Sequence, residues 1–328
     1  MGNNVPIKKA LIVAGGFGTR FLPASKTVPK VMFPVIDRPI IQMVVEEIVT
    51  AGITDITIVV SKFTREIERY FRPFEELNKL LENFGKQKEI EELKKIEDLA
   101  NFTFVEQIPG RHGNGMAVLS AKDAIGNEPF IICWADEFFI SSPSRIKQSI
   151  DAYERYGGMI VGCMKTVDPI DGGRYGFAVG EKVEDYIWKV TSLVEKPGVG
   201  KAPSELATKS GNILLPEIFS YLEKADKEID PKLELYVNTY GMVPMLKDGF
   251  PTYAIEFQNS KYYDTGDRLG YLKSLVELGM ENPQFGEDFK DWLNRIRLQS
   301  GRRKIGLRQS GKSKKENRNS NCSYDVGL

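Results

Sequence analysis

Hydrophobic residues follow two different periods in the N-terminal part of the chain. Lys9–Val13 is a short apolar, β-branched run after mostly polar residues, which is typical of a buried strand. From about Pro39 to Ala51 apolar residues recur at helical spacing, and Gly52 marks the end of this helix. Ile56–Val60 is a second strand-like run. Strand, helix and strand in this order form a βαβ unit, so the pattern predicts a parallel sheet.

Strands and helices continue to alternate along the rest of the chain. Further strands are predicted at Phe102–Glu106, Pro129–Trp134, Gly158–Met164 and Val190–Val194, and further helices at Thr64–Phe71, Met116–Ala124, Pro216–Lys224 and Tyr236–Lys247. A charged segment at about 75–99 carries an apolar stripe that predicts one long helix, interpreted as a helical insertion because it doubles the usual crossover length. The predicted fold class is α/β, with a Rossmann-like mixed, mainly parallel sheet flanked by helices.

The C-terminal part of the chain changes character. One helical stripe of apolar residues predicts a C-terminal helix at about 285–297: Phe285, Phe289, Trp292, Leu293 and Ile296. Residues 301–328 contain eight Lys or Arg against two acidic residues and are rich in polar residues, so the sequence predicts one domain at 1–300 and a basic, disordered tail at 301–328. The whole chain has a formal net charge of zero, so residues 1–300 are acidic and no nucleic-acid partner is expected.

A glycine-rich loop follows the first strand, in the order Ala14-Gly15-Gly16-Phe17-Gly18-Thr19-Arg20. Glycines let backbone N–H groups approach an anion without a Cβ in the way. Thr19 adds a hydroxyl donor, Arg20 a planar guanidinium, and Lys30 a mobile positive charge. The loop therefore indicates a polyphosphate site, and the alternative is a tight turn whose glycines serve packing alone.

Two other glycine-rich loops do not match this segment. A dinucleotide-binding loop, counted from Gly16, needs a glycine where Phe21 stands. A Walker A loop needs Gly-Lys-Ser/Thr in place of Gly18-Thr19-Arg20. A hydride-transferring enzyme is therefore a weaker interpretation.

Polar residues at the ends of other predicted segments are further candidates. Gln107 stands at the start of a glycine-rich loop. Its side-chain amide can donate a hydrogen bond to a base and accept one from it. Asp136 follows a predicted strand, at the edge where parallel sheets place ligands. Glu195 and Lys196 close another strand, and Asp264 precedes a predicted helix. Taken singly, each has a plain structural alternative: a flexible loop, a helix cap or a solvated ion pair.

Three motifs together carry a resemblance to a known family. Gly-Gly-x-Gly-Thr-Arg followed by Pro29-Lys30, then Glu195-Lys196-Pro197, then Asp264-x-Gly-x-x-x-Gly-Tyr resemble the signature of the sugar-1-phosphate nucleotidyltransferases. The resemblance covers roughly residues 7–297, and the helical insertion makes the chain similar above all to the family's bacterial UTP–glucose-1-phosphate uridylyltransferases. It implies transfer of a uridylyl group from UTP to glucose 1-phosphate, giving UDP-glucose and pyrophosphate, with Mg2+ as cofactor and no covalent intermediate.

The resemblance also implies a role for individual residues. The nucleotide-binding residues it implies are Ala14, Gly15, Gly16, Gly18, Thr19, Gln107 and Gly113, and the sugar-binding residues are Gly176, Glu195 and Asn212. The catalytic cations would be Arg20, Lys30 and Lys196, and the metal ligands Asp136 and Asp264. Two carboxylates beside a triphosphate suit Mg2+, which prefers oxygen ligands and shares them with substrate phosphates. His112, the only histidine, is given no catalytic role.

Two departures from the family pattern leave the substrate open. Val31 stands where the bacterial uridylyltransferases carry Glu, and their Gln-Leu-Thr-Asp segment is not recognisable before residue 236. A thymidylyltransferase, or a uridylyltransferase for another hexose 1-phosphate, therefore remains an alternative. A regulatory homologue that binds nucleotide sugars without turnover is a further alternative, although Asp136, Asp264 and Lys196, whose loss would favour it, are all present.

Cysteine content and hydropathy indicate where the protein is located, and the family resemblance indicates how it assembles. Cys133, Cys163 and Cys322 show no Cys-x-x-Cys spacing, and the sequence has no recognisable signal peptide or 18-residue apolar run. The expectation is a cytoplasmic protein without a membrane partner. The resembled uridylyltransferases associate through C-terminal helices, which implies a homodimer or a dimer of dimers.

Overall fold

Strands and helices alternate along most of the chain in the computed structural model, which describes residues 4–309 and, up to residue 297, their side chains. The strands are β1 Lys9–Val13, β2 Pro34–Val35, β3 Arg38–Pro39, β4 Asp55–Val60, β5 Asn101–Glu106, β6 Phe130–Trp134, β7 Glu137–Ser141, β8 Met159–Lys165, β9 Gly176–Glu184, β10 Ile187–Glu195, β11 Leu206–Thr208, β12 Asn212–Leu214, β13 Thr252–Glu256 and β14 Ser260–Asp264. The helices are α1 Ile40–Thr50, α2 Glu66–Phe71, α3 Glu75–Asn83, α4 Gln87–Glu97, α5 Asn114–Ser120, α6 Lys122–Ile125, α7 Arg145–Tyr156, α8 Ile218–Glu228, α9 Val243–Lys247, α10 Arg268–Glu281 and α11 Gly286–Gln309.

The N-terminal half of the sheet is parallel, as the βαβ pattern predicts. Strand β1 pairs in parallel with β4 on one side and β6 on the other, and β4 pairs in parallel with β5. Ala10, Leu11 and Ile12 are fully buried in β1, because helices cover both faces of a parallel sheet. The carboxyl ends of β1 and β6 therefore meet at one edge, where Ala14 and Asp136 follow them.

The other half of the sheet is largely antiparallel. Within residues 4–309, ten strands form one sheet in the order β11-β9-β10-β13-β8-β12-β6-β1-β4-β5, with β14–β7 and β2–β3 as separate pairs. Short β12 runs antiparallel to both β6 and β8, and β9 and β10 form a long hairpin, while β13 is parallel to β8. The predicted mixed α/β sheet is thus confirmed, with its parallel part concentrated around β1.

One large apolar core lies against the sheet on the side of α5 and α8. It contains Leu11 and Val59 from the parallel strands and Met116, Ile218 and Leu222 from the helices. At about 0.8 kcal/mol for each buried CH2 group, this core is a main source of stability. It also anchors the start of α5, directly after the glycine-rich loop that begins at Gln107.

Several predicted helix bounds were wrong. The helix predicted at 75–99 is two helices, α3 and α4, because Gly85 adopts a positive φ of 64° between them. The helix predicted at Tyr236–Lys247 contains a π-helical turn, Asn238–Met242, before α9. Helix α11 continues to Gln309, so residues 301–309 of the predicted disordered tail are helical. The remainder of that tail, 310–328, lies outside the described residues.

The chain divides into two compact units between Ser274 and Leu275, earlier than the boundary expected at 300. The first unit holds the sheet and the candidate site. In the second, the Phe289 ring packs on Gly279 and stacks on the Trp292 ring with a centroid separation of 5.7 Å. Across residues 4–309, we find no helix with the length and apolar character needed to span a bilayer.

Candidate active site

A cavity of about 670 Å³ opens at the carboxyl ends of β1 and β6 and of the β10 strand. Because the edge of a parallel sheet presents its strand ends together, loops from distant parts of the chain converge there. The predicted site residues that line this charged cavity are Ala14, Gly16, Arg20, Lys30, Asp136, Gly176, Glu195, Lys196 and Asp264. The structure therefore gathers residues from all three sequence motifs around one space.

The glycine-rich loop shapes the corner of the cavity that contains Arg20 and Lys30. Gly18 has a φ of 62°, and a Cβ there would lie 3.3 Å from the Lys30 Cβ, so glycine both permits the turn and makes room for Lys30. Arg20 follows in a single 3-10 turn, Thr19–Phe21, and its Nη1 donates to the Gly266 carbonyl at 3.3 Å. Gly18 and Thr19 build this turn and do not line the cavity.

Two carboxylates face the same point of the cavity. A Cβ built on Gly266 would lie 3.0 Å from Asp264 Oδ1 and 3.3 Å from Asp136 Oδ2. Gly266 therefore has no room for a side chain beside the two acids, and its N–H donates to Asp264 Oδ1 at 2.9 Å. Oxygen donors gathered in this way fit a hard divalent cation that takes its other ligands from substrate phosphates. Among the described residues, no group of three or more His, Cys, Asp or Glu side chains is placed to hold a metal.

Each of these carboxylates has a cationic partner. Asp136 forms an ion pair with Lys30, and its carbonyl accepts a hydrogen bond from Thr265 Oγ1 at 2.6 Å. Asp264 Oδ2 accepts hydrogen bonds from Arg174 Nη2 at 2.7 Å and from the Tyr175 hydroxyl at 3.1 Å. Burial, followed by the charge of Asp264, raises the pKa of Tyr175, so this hydroxyl remains a donor at neutral pH.

The opposite wall of the charged cavity comes from the β9–β10 hairpin. Gly176 must be glycine, because a Cβ there would lie 2.8 Å from Thr208 Oγ1 and 2.9 Å from Glu195 Oε2. Glu195 Oε2 accepts a hydrogen bond from Asn238 Nδ2 at 3.0 Å. Lys196 has a positive φ of 44°, and its Nζ lies 3.8 Å from Glu195 Oε1. This backbone conformation turns the chain sharply at the end of β10 and leaves the Lys196 side chain 48% exposed.

Asn212 is placed differently from the other predicted sugar-binding residues. Its side chain is buried, it does not line the cavity, and its Oδ1 accepts a hydrogen bond from the Gly162 N–H at 2.8 Å. The amide thereby joins β12 to β8 across the sheet. Its position supports a role in the sheet and gives no support to the expected sugar contact.

A second cavity of about 520 Å³ adjoins the first and shares Val13, Gly16 and Asn114 with it. We call it the base cavity. It is lined by Gln107 and Gly113 from one loop, by Gly15 from the other, and by the exposed rings of Phe17, Phe63 and His112. The Phe17 ring lies edge-on to both other rings, with centroid separations of 5.6 and 5.9 Å. Flat, mainly apolar walls with a few polar groups suit a heterocyclic base.

Close backbone approaches fix the shape of the base cavity. A Cβ on Gly15 would lie 2.6 Å from Gln107 Oε1, so the amide packs directly on the glycine. A Cβ on Gly113 would lie 2.3 Å from the Leu235 carbonyl oxygen. Leu235 N–H donates to the His112 carbonyl at 2.8 Å, and Gly115 N–H donates to the Leu235 carbonyl at 2.7 Å. The loop at Gln107–Gly115 and the segment around Leu235 are therefore joined by paired backbone hydrogen bonds.

Arg111 strengthens this junction. Its guanidinium forms an ion pair with Asp226 at 2.9 Å and donates to the carbonyls of Ile229 at 3.2 Å and Leu233 at 2.9 Å. It also donates to the carbonyls of Asp226 and Asp230. These acceptors lie at the end of α8 and in the loop after it, so one side chain caps the helix and holds the loop.

A buried ion-pair network lies behind Asp136 and Asp264. Arg145 is fully buried; its Nε is 3.0 Å from Glu47 Oε1 and its Nη1 donates to Ser210 Oγ at 3.1 Å. Burial raises the pKa of Glu47, with the charge of Arg145 opposing this effect. Glu137, directly after Asp136, lies 3.5 Å from Arg145 Nη1 and accepts a hydrogen bond from the Ser210 N–H at 2.7 Å. This network holds the end of β6 in place.

Sequence reasoning missed several residues that line the charged cavity. Arg174 and Tyr175 directly precede the predicted Gly176, but nothing in the local sequence indicates that they contact Asp264. Tyr236 and Asn238 belong to a segment for which the sequence predicted a helix and no site residue. Lys209 also lines the cavity, and a lysine between two short strands has no sequence signature of its own.

Comparison with known proteins agrees with this geometry. The model of a family described as "Nucleotidyl transferase" matches residues 9–281. The UTP–glucose-1-phosphate uridylyltransferase of Staphylococcus epidermidis is 39% identical over 290 residues, 88% of this chain and 98% of that protein, and its counterpart in Staphylococcus haemolyticus is 37% identical over the same length.

Solved structures show the same fold. A UDP-glucose pyrophosphorylase in complex with UDP-glucose superposes with a TM-score of 0.73 at 33% identity, covering 84% of this chain and 100% of the other. A UTP-bound UGPase from Acinetobacter baumannii gives a TM-score of 0.75 at 32% identity, covering 88% and 98%. With a matching family model over most of its length and close relatives spanned almost completely, this chain belongs to the nucleotidyl transferase family.

Proposed function

We propose that the protein transfers a uridylyl group from UTP to glucose 1-phosphate, giving UDP-glucose and pyrophosphate. The observation that carries the proposal is the pair Asp136 and Asp264 facing one point, with Arg20 and Lys30 on one side and Lys196 on the other. A base cavity adjoins this charged cavity. The names of the curated relatives, and the UTP and UDP-glucose bound in related structures, support the same substrates.

The reaction in this cavity is an in-line displacement at phosphorus. A phosphate oxygen of glucose 1-phosphate attacks the α-phosphorus of UTP, a new P–O bond forms, and the bond to the bridging α–β oxygen breaks as pyrophosphate leaves. The nucleophile is already an anion, so no general base is needed. Rate acceleration then comes from positioning and charge neutralisation, as in other phosphoryl transfers.

Different cations of the cavity would contact different phosphate groups. Arg20 and Lys30 would hold the triphosphate and the departing pyrophosphate, while Lys196 would hold the sugar phosphate. Asp136 and Asp264 would bind Mg2+, which when present supplies positive charge to the phosphate oxygens. Glu195 and the Gly176 backbone would contact sugar hydroxyls, and Asn238, bonded to Glu195, would orient that carboxylate.

A substrate panel tests this proposal. Purified protein with Mg2+ is given UTP, dTTP, CTP, ATP or GTP with glucose 1-phosphate, and then UTP with other hexose 1-phosphates, while pyrophosphate release is measured. We expect the highest kcat/KM for UTP with glucose 1-phosphate. Higher values for dTTP, or for another hexose 1-phosphate, would favour the alternatives left open by Val31 and by the missing Gln-Leu-Thr-Asp segment. Binding without pyrophosphate release would indicate a regulatory homologue.

We also propose that the protein assembles as a homodimer or a dimer of dimers through α11. Trp292 lies on this helix and Phe285 directly precedes it; both side chains are exposed, and Trp292 is 49% exposed. Large aromatics are frequent anchors of protein interfaces. Light scattering on the full-length protein and on a version ending at Arg297 should show an oligomer in both. A monomer in both at micromolar concentration would refute this, and loss of the oligomer only in the shortened version would move the contact beyond residue 297.

A cytoplasmic location is proposed on the chemistry of the buried thiols. Cys133 and Cys163 are free and fully buried, and burial raises the pKa of the Cys133 thiol to about 12. Unpaired cysteines of this kind fit a reducing compartment.

A further inference from the structure

Lys209 lines the charged cavity although only 6% of the residue is exposed. It lies in the short segment between β11 and β12. Its backbone N–H donates to the Gly162 carbonyl at 2.8 Å, and the next N–H, of Ser210, donates to Glu137 Oε1 at 2.7 Å. These bonds hold the segment against the sheet, so the Lys209 side chain is part of the cavity wall.

Two tyrosine rings enclose the ammonium group of Lys209. Its Nζ lies 2.9 Å from the centroid of the Tyr175 ring and 4.1 Å from that of Tyr262. The hydroxyls of both rings donate elsewhere, to Asp264 Oδ2 at 3.1 Å and to Glu137 Oε2 at 2.8 Å. Among the side chains that the structure describes, none accepts a hydrogen bond from Nζ, nor does any described carbonyl.

This arrangement is costly for the folded protein alone. Burial lowers the pKa of Lys209 to about 8, with the charges of Glu137 and Asp264 opposing the shift. Contact with the aromatic faces, and access of Nζ to the cavity, recover part of the lost solvation, but the burial of most of this side chain still disfavours its charged form. An apolar side chain would pack here at lower cost. An ammonium held in this way fits a residue that binds an anionic ligand.

The position of Lys209 within the cavity indicates which anionic group of the substrates it would contact. The wall of the cavity around Glu195, which we call the sugar wall, is formed by Gly176, Glu195, Thr208, Tyr236 and Asn238. Tyr175, which contacts Nζ, directly precedes Gly176, and Lys209 directly follows Thr208. Arg20 and Lys30 belong to the corner formed by the glycine-rich loop. The anion nearest to the sugar wall is the phosphate of the sugar 1-phosphate.

On the basis of the proposed function, we infer that Lys209 is a second cation of the sugar subsite, donating hydrogen bonds to the phosphate of the incoming sugar 1-phosphate together with Lys196. The two lysines differ in their surroundings, since Lys196 is half exposed and Lys209 is enclosed by rings. Lys209 therefore contributes a charge that solvent screens little.

The test compares Lys209→Met, which removes the charge and keeps an unbranched stem, with Lys209→Arg, which keeps the charge. Lys182→Met, an exposed lysine on β9 paired with Asp185 at 2.7 Å, is the control. In steady-state kinetics we expect Lys209→Met to raise the KM for glucose 1-phosphate roughly ten- to a hundredfold, the loss typical of a hydrogen bond between charged groups. The KM for UTP should change less than about threefold, and Lys209→Arg should recover part of the loss.

Two further measurements separate binding from support of the fold. Calorimetric titration of glucose 1-phosphate into protein with Mg2+ and α,β-methylene-UTP, whose pyrophosphate cannot leave, should show the same loss of affinity in Lys209→Met. The Tm of this variant should equal or exceed that of the wild type, because an unfavourable buried charge has been removed.

Two results would overturn the inference. One is unchanged affinity of Lys209→Met for glucose 1-phosphate. The other is a lowered Tm with equal increases in both KM values, which would show that Lys209 only supports Tyr175 and Tyr262. Failure of the proposed function is a separate result, seen in the wild-type protein as use of another substrate, and the same comparison would then be made with that sugar 1-phosphate. Use of no sugar 1-phosphate by the wild type would end both proposals.

Discussion

The two adjoining cavities are built from different parts of the polypeptide. In the charged cavity the walls are ionised side chains, among them Arg20, Lys30, Asp136 and Asp264, which come from loops far apart in the sequence. In the base cavity the decisive features are glycines and backbone groups, with Gly15 packed on Gln107. In the charged cavity, a substitution can remove the charge of one side chain and leave the others in place. In the base cavity, an added Cβ at a glycine would clash with a neighbouring group and change the shape of the wall. The two cavities should therefore respond to different kinds of substitution.

The largest effect is expected from the metal-facing carboxylates of the charged cavity. Asp264→Asn should reduce turnover with Mg2+ by roughly a thousandfold or more, because metal-assisted charge stabilisation is worth several kcal/mol. Asp171→Asn, which changes another carboxylate facing Arg174 at 3.7 Å, serves as the control and should change turnover little. Pyrophosphate release measures both variants, and near-normal turnover in Asp264→Asn would refute its role as a metal ligand.

The next effect separates the two sides of the charged cavity. Arg20→Ala and Lys196→Ala should each lower kcat/KM about a hundredfold, on the order of 3 kcal/mol, if each cation neutralises transition-state charge. The loss in Arg20→Ala should appear with UTP as the varied substrate, and that in Lys196→Ala with glucose 1-phosphate. Indistinguishable kinetic profiles for the two variants would mean that the cavity has no separate nucleotide and sugar sides.

A smaller effect should come from adding one methyl group to the base cavity. In Gly15→Ala the new Cβ would lie 2.6 Å from Gln107 Oε1, so the amide has to move. We expect the KM for UTP to rise roughly tenfold, the equivalent of one lost hydrogen bond, while the KM for glucose 1-phosphate stays the same. In a Gln107→Ala background the same substitution should add little. Equal effects in both backgrounds would show that Gln107 does not transmit the change.

The smallest effect is a pH dependence of stability caused by Lys209. Burial lowers its pKa in the folded protein to about 8 from the ordinary lysine value of 10.5, so between these values the unfolded chain binds more protons than the folded one. Folding stability from this group therefore rises with pH across that window. Lys209→Met should exceed the wild type in stability most below pH 8, and the difference should shrink towards pH 10. Urea unfolding at several pH values measures this, and a constant difference would contradict the shifted pKa.

Local patterns were sufficient to predict the parallel half of the sheet. Strands such as Lys9–Val13 and Asp55–Val60 are continuous apolar runs buried on both faces, and a helix with a clear apolar stripe separates them. Strands β7, β13 and β14 were not predicted, because β14, for example, mixes polar and aromatic residues in Ser260–Asp264. Such short strands form where neighbouring strands offer hydrogen bonds, and that depends on the tertiary fold.

The candidate site shows the same division between local and distant information. Motifs predicted Arg20, Lys196 and Asp264, and the structure places all three around one cavity. The burial of Lys209 could not be predicted, since it results from Tyr175 and Tyr262, which the chain brings together from opposite sides of that position in the sequence. Asn212 is the opposite case. The motif predicted a site residue there, but its amide accepts a hydrogen bond from Gly162 within the sheet.

The hydrogen bonds of Arg111 define the unit that protein engineers would need to move. This side chain joins the loop at 107–115, which lines the base cavity, to Asp226, Ile229 and Leu233. The segment that holds these acceptors continues to Tyr236 and Asn238 in the sugar wall. Replacing the loop at 107–115 alone would remove Arg111 and leave its acceptors at the end of α8 without a cation. The exchangeable module is therefore the loop at 107–115 together with 226–238, and a chimaera that carries both would exchange a wall of the base cavity and part of the charged cavity in one step.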